Sequence, residues 1–269
     1  MNKIIGFIGS GNMGKAMIGG IIKSNLVKPN QVIVSDLNES KLDEINREFG
    51  VITTTNSNEV AKKADILFLA IKPNVYDIVM KEIKQNLSKD TVIVTIAAGK
   101  TIQDIETVLG EDKKIVRTMP NTPALVNEGM SALCRNKNIS EEELNNIKDI
   151  FKSFGKAEVV DEYLIDSVIG VSGSSPAYVF MFIEALADGA VIGGMPRDKA
   201  YKFAAQAVLG SAKMVLETGM HPGILKDMVC SPGGTTIEAV RSLERSGFRA
   251  SVIEAVVDCM RKSEEMTKK

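Results

Sequence analysis

The sequence predicts an α/β protein: a doubly wound, mostly parallel sheet followed by an all-helical part. Three observations lead there. Residues 1–161 alternate between short apolar runs and stretches of helical spacing, as strand–helix units do. A glycine-rich turn follows the first of those runs. After Asp161 strand-like runs give way to long helical patterns. The expected parts are therefore 1–161 and 162–269.

The elements follow in order. "KIIGFIG" is a short apolar run, and "NMGKAMIGGIIKS" after it has helical spacing. "QVIVSD" is strand-like, and "NESKLDEINREFG" is a polar-faced helix stopped by Gly50. "VITTT" is β-branched; "DILFLAI" and "TVIVTIA" are continuous apolar runs, typical of strands buried on both faces. "KIVRTM" reads as another strand. "SEEELNNIKDIFKSFG" opens with a capping-box pattern, Ser140 with Glu143, and ends at Gly155; "AEVV" closes the alternation. Beyond Asp161, "SPAYVFMFIEALADGAVIGG" is apolar on nearly all sides. A second helix opens at Pro196 and closes at Gly219, and "ASVIEAVVDCMRKSEEM" carries Val252, Val256 and Met260 on one stripe. A helix apolar all round must be buried all round, and a unit of this size is too small to enclose several. The helical part is expected to bury surface against a partner subunit.

Composition excludes whole classes of function. Of 269 residues, 44% are hydrophobic and 25% charged, with a formal net charge of -1, so no basic excess exists to bind nucleic acid. Cys134, Cys230 and Cys259 are odd in number and far apart, which argues against a disulfide framework and fits a reducing cytoplasm. His221, the single histidine, excludes a His-rich metal site. The N-terminus lacks the apolar core of a signal peptide. The longest uncharged run, 167–183, is shorter than the ~20 apolar residues of a membrane span. A cytoplasmic protein without membrane contact is expected.

"GFIGSGNMG" contains G-x-G-x-x-G at Gly9, Gly11 and Gly14, after a strand-like run and opening a helix. The first glycine allows the tight turn, the second admits a pyrophosphate close to the backbone, and the third lets helix and strand pack closely. The helix N-terminus offers N–H groups and a positive dipole end to the phosphates, with Ser10, Asn12 and Met13 in the turn. This is the Rossmann-type dinucleotide arrangement. Ligands in such sheets lie beyond the carboxyl ends of the strands. Three further loops of small residues and prolines end there: Ala70, Ile71, Lys72 and Pro73; Ala97, Ala98 and Gly99; and "MPNTP" with Asn121. Ser35 and Asp36 end the second strand. Asp36 has two readings: a contact to the adenosine ribose, which favours NADH over NADPH, or a helix cap or surface turn within "SDLNES".

The chemistry is narrowed by an absence. Reducing a carbonyl makes an alkoxide, which hydroxy-acid dehydrogenases typically protonate with a His or Lys acid. Residues 157–198 hold neither, and His221 in "GMHPGI" reads as a turn residue. A C=N bond can enter already protonated, so imine reduction needs no strong acid. "CSPGGTTIEAV" then has two readings. One is a plain Pro-Gly turn capping a helix. The other is a carboxylate site: Gly233 and Gly234 as a backbone nest, Thr235 and Glu238 as the capping box, and the Ser231 and Thr236 hydroxyls in reach. Alternatives of the same plan are a hydroxy-acid dehydrogenase, or a dinucleotide-binding protein without catalysis.

Over nearly its whole length the chain resembles the pyrroline-5-carboxylate reductase family. The resemblance is carried by "GFIGSGNMGKA", "AIKP", "AAG", "MPNTPALVNEG", "GVSGSSPAYVF" and "LKDMVCSPGGTTIEAV", the last being the family's signature. It implies reduction of 1-pyrroline-5-carboxylate to proline by NADPH or NADH. It also implies a helical substrate-binding domain that interlocks two subunits, dimers that assemble to decamers in some members, and a cytoplasmic enzyme of proline biosynthesis. Carried over, Val229, Ser231, Gly233, Gly234, Thr235 and Thr236 bind substrate, with the carboxylate on Ser231 and backbone N–H groups. Thr236, beside the ring nitrogen, and Ser231 are the catalytic candidates, and "AIKP" and "AAG" line the dinucleotide. Relatives commonly end the second strand with residues that accept a 2′-phosphate, from which Asp36 departs.

Overall fold

The computed structural model describes residues 1–267. It forms two compact units: Met1–Gly173 with the chain from Cys259 on, and Ser174–Asp258. The expected boundary at 161/162 falls inside the first unit. Residues 162–173 pack there because Ile165 and Ile169 join its core.

Eight strands build the first unit: β1 (Ile5–Ile8), β2 (Val32–Ser35), β3 (Ile52–Thr54), β4 (Ile66–Leu69), β5 (Val92–Thr95), β6 (Lys114–Met119), β7 (Gly129–Arg135) and β8 (Gly155–Val159). Their order is β3-β2-β1-β4-β5-β6-β7-β8, so the winding reverses between β1 and β4. The helices between them are α1 (Asn12–Lys23), α2 (Glu39–Phe49), α3 (Ser57–Lys63), α4 (Tyr76–Ile83), α5 (Ile102–Leu109) and α6 (Glu141–Lys152), followed by the short α7 (Ile165–Val168). The continuous apolar runs are indeed strands covered on both sides. Every residue of β1, β2, β4 and β5 is buried. One face carries Phe7 and Phe68, stacked at 4.7 Å, under α1, α2 and α6, with Phe151 of α6 and Phe154 just after it packed in the same core. The other carries Leu67, Leu69, Ile93 and Ile115 under α3, α4 and α5.

The sheet is not all parallel. β7, absent from the sequence expectation, runs antiparallel to β6 and parallel to β8. The connection from β6 explains the direction: it is a single 3-10 turn, Thr122–Val126, too short for the crossover that parallel pairing needs. The box predicted at Ser140 is present, with Ser140 Oγ accepting from the Glu143 N–H, but α6 stops at Lys152, and Gly155 opens β8. On β7, Ser131 is 1% exposed and its hydroxyl finds no hydrogen-bond partner. An unmade buried bond is a cost, so Ser131→Ala should stabilise the protein by about 1 kcal/mol. That is a rise in Tm of ~2–4 °C, and a fall in a thermal scan would contradict it.

The second unit is helical: α8 (Ser175–Ile192), α9 (Arg197–Thr218), α10 (Pro222–Val229), α11 (Thr235–Arg245) and the first half of α12 (Phe248–Thr267). α8 packs on α9. Within the single chain these helices stay open: Phe180, Met181, Phe203 and Leu216 are 64%, 69%, 67% and 79% exposed. The helical run Glu162–Ile192 is long and apolar enough, by length and composition alone, to cross a membrane. The uncharged segment 167–183 understated it, because the apolar run continues past Glu184 and Asp188.

Candidate functional site

The strand ends of the first unit define a candidate dinucleotide edge. Ile8 pairs with Ser35 and Leu69, Leu69 with Thr95, and Thr95 with Arg117, so the loops that follow emerge along one edge. At the reversal of winding, Gly9 turns the chain at φ +99°, where a side chain would be strained. Its N–H donates to the Ser35 carbonyl at 2.7 Å, and a Cβ on it would meet the Ala70 carbonyl oxygen at 2.4 Å. A Cβ on Gly14 would meet the Gly9 oxygen at 2.8 Å, which brings α1 directly against the turn. Gly11 differs: a Cβ there would meet nothing within 4 Å. It caps α1 with no side-chain bond, leaving the first-turn amides of Asn12, Met13 and Gly14 facing a roomy cradle. Two glycines shape the turn and the third keeps space in front of a helix N-terminus. That fits a pyrophosphate.

The remaining edge residues divide into those that present groups there and those that build it. Ser10 donates from both its N–H and its hydroxyl to Asp36 Oδ2, at 2.8 and 2.7 Å. Asp36 Oδ1 accepts from the Asn38 N–H at 3.0 Å, and Asn38, not Asp36, caps α2. The capping reading of Asp36 is thus corrected: its carboxylate ties the β2 end to the glycine turn. Burial pulls its pKa up, but the bonds from Ser10 and Asn38 and the charge of Lys41 outweigh that and hold it below the usual range. Ser35 is buried, its hydroxyl against the Phe7 carbonyl and Ser57. Met13 and Ile71 turn into the two cores, whereas Asn12, Lys72 and Pro73 are exposed. Ala97 is buried beside the half-buried Ala98, and Gly99 (φ +76°) lies against Met266 of α12. Asn121 is engaged on both ends: its amide donates to the Ser172 carbonyl at 3.0 Å and its oxygen accepts from the Met130 N–H at 2.8 Å. It braces the loop from below.

Polar groups that sequence reasoning missed lie beneath these loops. The fully buried Tyr76 hydroxyl donates to the Leu69 carbonyl at 2.5 Å and accepts from the Thr95 hydroxyl at 3.0 Å. Thr118 donates to the Thr95 carbonyl at 3.0 Å. Glu162 accepts from Arg117 and from the Ile102 N–H, both at 2.8 Å, and so anchors the start of α5. Thr95 and the Arg117–Thr118 pair interrupt apolar strand runs, and that interruption was the available signal. Cys134 lies close by, its thiol pushed up to about 12 by burial despite the nearby Arg117 charge, so it supplies no thiolate. Among the described residues no cluster could hold a metal ion.

A separate group of candidate residues lies in the helical unit. Val229 ends α10 and is exposed. Gly233 takes φ +66°, and the Gly234 N–H closes the turn onto the Ser231 carbonyl at 3.0 Å. A Cβ on Gly234 would meet Ser231 Oγ at 2.4 Å, so that hydroxyl lies over the turn beside the start of α11. The expected capping box is not formed. Gly234 is the cap, without a side-chain bond, and Glu238 turns to Arg241 at 2.9 Å. The nest is corrected too, since one of its two glycine amides is engaged within the turn. The candidate groups for an anion are the first-turn amides of α11, from Thr235 and Thr236 onward, with Ser231 and Thr236 as the candidate hydroxyls. His221 caps α10 through Nδ1, which accepts from the Gly223 N–H at 3.0 Å, in keeping with a turn role.

A glycine turn at the winding reversal of such a sheet, followed by a helical unit, is a plan found in nicotinamide-dependent oxidoreductases. Two family models match the chain: pyrroline-5-carboxylate reductase dimerisation over residues 162–266, and NADP oxidoreductase, coenzyme F420-dependent, over residues 4–99. Pyrroline-5-carboxylate reductase of Escherichia coli is 58% identical, covering 100% of both chains; that of Methanosarcina acetivorans is 44% identical, covering 100% of this chain and 99% of its own. The solved structure of the Coxiella burnetii enzyme is similar at TM-score 0.94 and 34% identity, over 100% of both chains. The Plasmodium falciparum structure, solved with NADP bound, reaches 0.90 at 33% identity, over 99% of this chain and 98% of that one. The chain belongs to the pyrroline-5-carboxylate reductase family.

Proposed function

We infer that the protein reduces 1-pyrroline-5-carboxylate to L-proline with NADPH or NADH, the last step of proline biosynthesis. Full-length identity of 58% to a reductase of that name carries this reading. When bound, the reduced dinucleotide supplies hydride to the ring C=N carbon, and a substrate that enters as iminium leaves as a neutral amine. The chain's own residues bind and orient. The α1 amides behind Gly11 take the pyrophosphate, and the loops at Ala70–Pro73 and Ala97–Gly99 line the dinucleotide. The α11 amides and Ser231 hold the substrate carboxylate, and Thr236 positions the ring nitrogen. No Lys or His acid is required, in keeping with the 157–198 segment. The test follows NAD(P)H absorbance with pyrroline-5-carboxylate, a keto acid, or nothing added. Oxidation only with the imino acid is expected, and comparable keto-acid turnover would overturn the reading.

The protein is a homo-oligomer. Its helical part joins two copies, and such dimers assemble to a decamer. The support is the dimerisation model over 162–266 and the exposed apolar side chains of α8 and α9. Burying those faces between subunits also accounts for the apolar run Glu162–Ile192 without a membrane, in a cytoplasmic enzyme.

Asp36 sets the cofactor preference. Ser10 and Asn38 hold its carboxylate at the end of β2, where the adenosine ribose lies in this strand order. A 2′-phosphate would meet a like charge, so NADH should serve at least as well as NADPH. A lowered carboxylate pKa means that this discrimination is complete at neutral pH and fades only as pH falls through the lowered value. Asp36→Ser should raise kcat/KM for NADPH relative to NADH by roughly tenfold, about 1.4 kcal/mol. A strong wild-type preference for NADPH would place Asp36 away from the ribose.

A further inference from the structure

Three strands end in the dinucleotide loops, and one buried side chain reaches across two of them. Tyr76 lies on the first turn of α4, after the "AIKP" loop, and is 0% exposed. Its hydroxyl donates to the carbonyl of Leu69, the last residue of β4, and accepts from Thr95, the last residue of β5. Thr118 of β6 donates to the Thr95 carbonyl, which extends the chain of bonds to a third strand. Thr95 and Thr118 are 0% and 1% exposed. At its other end the chain meets the glycine turn, because the residue after Leu69 is Ala70. The Ala70 N–H donates to the Ile8 carbonyl at 2.8 Å, and its own carbonyl packs under Gly9. One run of contacts thus links the loops after β1, β4, β5 and β6.

Ordinary ladder bonds already hold β4 to β5 along their length, so this chain is not needed to form the sheet. It acts at the last residues of β4 and β5 and one residue before the end of β6, next to where the loops diverge. Buried hydroxyls joined end to end favour one arrangement strongly, because each bond broken leaves a partner unsatisfied in an apolar setting. Burial also raises the Tyr76 pKa well above its ordinary value, so the hydroxyl stays protonated and keeps donating at any working pH.

We propose that Tyr76 is a positioning residue for the dinucleotide: through Leu69, Thr95 and Thr118 it holds the "AIKP", "AAG" and "MPNTP" loops at the spacing that the bound cofactor requires. The proposal rests on the reading that the dinucleotide lies at this edge. Tyr76→Phe keeps the ring in the core and removes only the hydroxyl. Binding of NADH and NADPH is measured by quenching of their fluorescence, without substrate, beside steady-state kinetics and thermal unfolding. The expected result is a Kd about tenfold weaker and a dinucleotide KM raised to match. The imino-acid KM and kcat at saturating dinucleotide should stay within twofold. Thr95→Val should weaken binding similarly, and the double variant should lose less than the sum of the two singles, since they share one bond. A merely structural role would lower Tm and leave Kd within twofold, and that outcome overturns the proposal. Gly11→Val separates the two failures. If it abolishes binding while Tyr76→Phe does not weaken it, the proposal alone falls. If it too binds normally, the dinucleotide does not lie at this edge and both readings fall.

Discussion

Gly234→Val is expected to lower kcat/KM for the imino acid by more than ~100-fold, with dinucleotide affinity within about twofold of wild type. The backbone itself allows the change, because Gly234 sits in extended conformation at φ -83° and ψ 172°. The obstacle is steric and local. A Cβ would stand 2.4 Å from Ser231 Oγ and 3.2 Å from the Ser231 carbonyl oxygen. The Ser231 hydroxyl must swing away, which removes a hydrogen bond to a charged group worth about 1.5–3 kcal/mol. The two γ-methyls of valine then stand at the α11 N-terminus, where the carboxylate has to approach. The turn is exposed, so Tm should change little. Gly234→Ala should show the steric part by itself. In a Ser231→Ala background it should cost little more than Ser231→Ala alone, because the colliding hydroxyl is gone. Full additivity of the two, or wild-type turnover in Gly234→Val, would mean that this turn does not hold the carboxylate.

How much of this was legible in the sequence follows from the range of the forces involved. The β1–α1 turn was legible because three glycines at fixed spacing have one shared cause, and the structure shows it at Gly9, Gly11 and Gly14. The central strands were legible because burial on both faces leaves an uninterrupted apolar run. β7 was not: "GMSALCR" has no β-branched residue, and its strand character comes from pairing with β6 and β8. The Thr235–Glu238 pattern misled because a capping box competes with any cation within reach. Arg241, one turn on, takes the glutamate, and the helix starts from a glycine. Asp36 was ambiguous for a different reason. Its decisive partner, Ser10, is 26 residues away in sequence. Tyr76 lies in a run that reads as ordinary helix, and its meaning depends on two strands that it meets only in the fold. Local patterns thus gave the elements and loops, while the bonds that aim the loops are long-range.

Thr236→Ala carries the second large effect. Thr236 is the second residue of α11, half-buried, on the turn that Ser231 overhangs. Its hydroxyl makes no cap bond for the helix. Removing it should leave the fold intact and remove one hydrogen bond at the substrate nitrogen. A bond to a charged group is worth about 1.5–3 kcal/mol, so kcat/KM for the imino acid should fall roughly ten- to a hundred-fold. Dinucleotide Kd should not move. Thr236→Ser restores the hydroxyl and should recover most of the activity, although it loses the χ1 restraint of a β-branched side chain. Thr235→Ala is the matched control. Were the loop only a helix cap, losing Thr235 would cost ~0.5–2 kcal/mol and lower Tm. In the structure Gly234 is the cap and no side chain caps it, so Tm should be unchanged. Kinetics and thermal unfolding of the three variants therefore separate clamp from cap. An inert Thr236→Ala beside a destabilised Thr235→Ala would leave α11 a plain capped helix, and the ring nitrogen would need another partner.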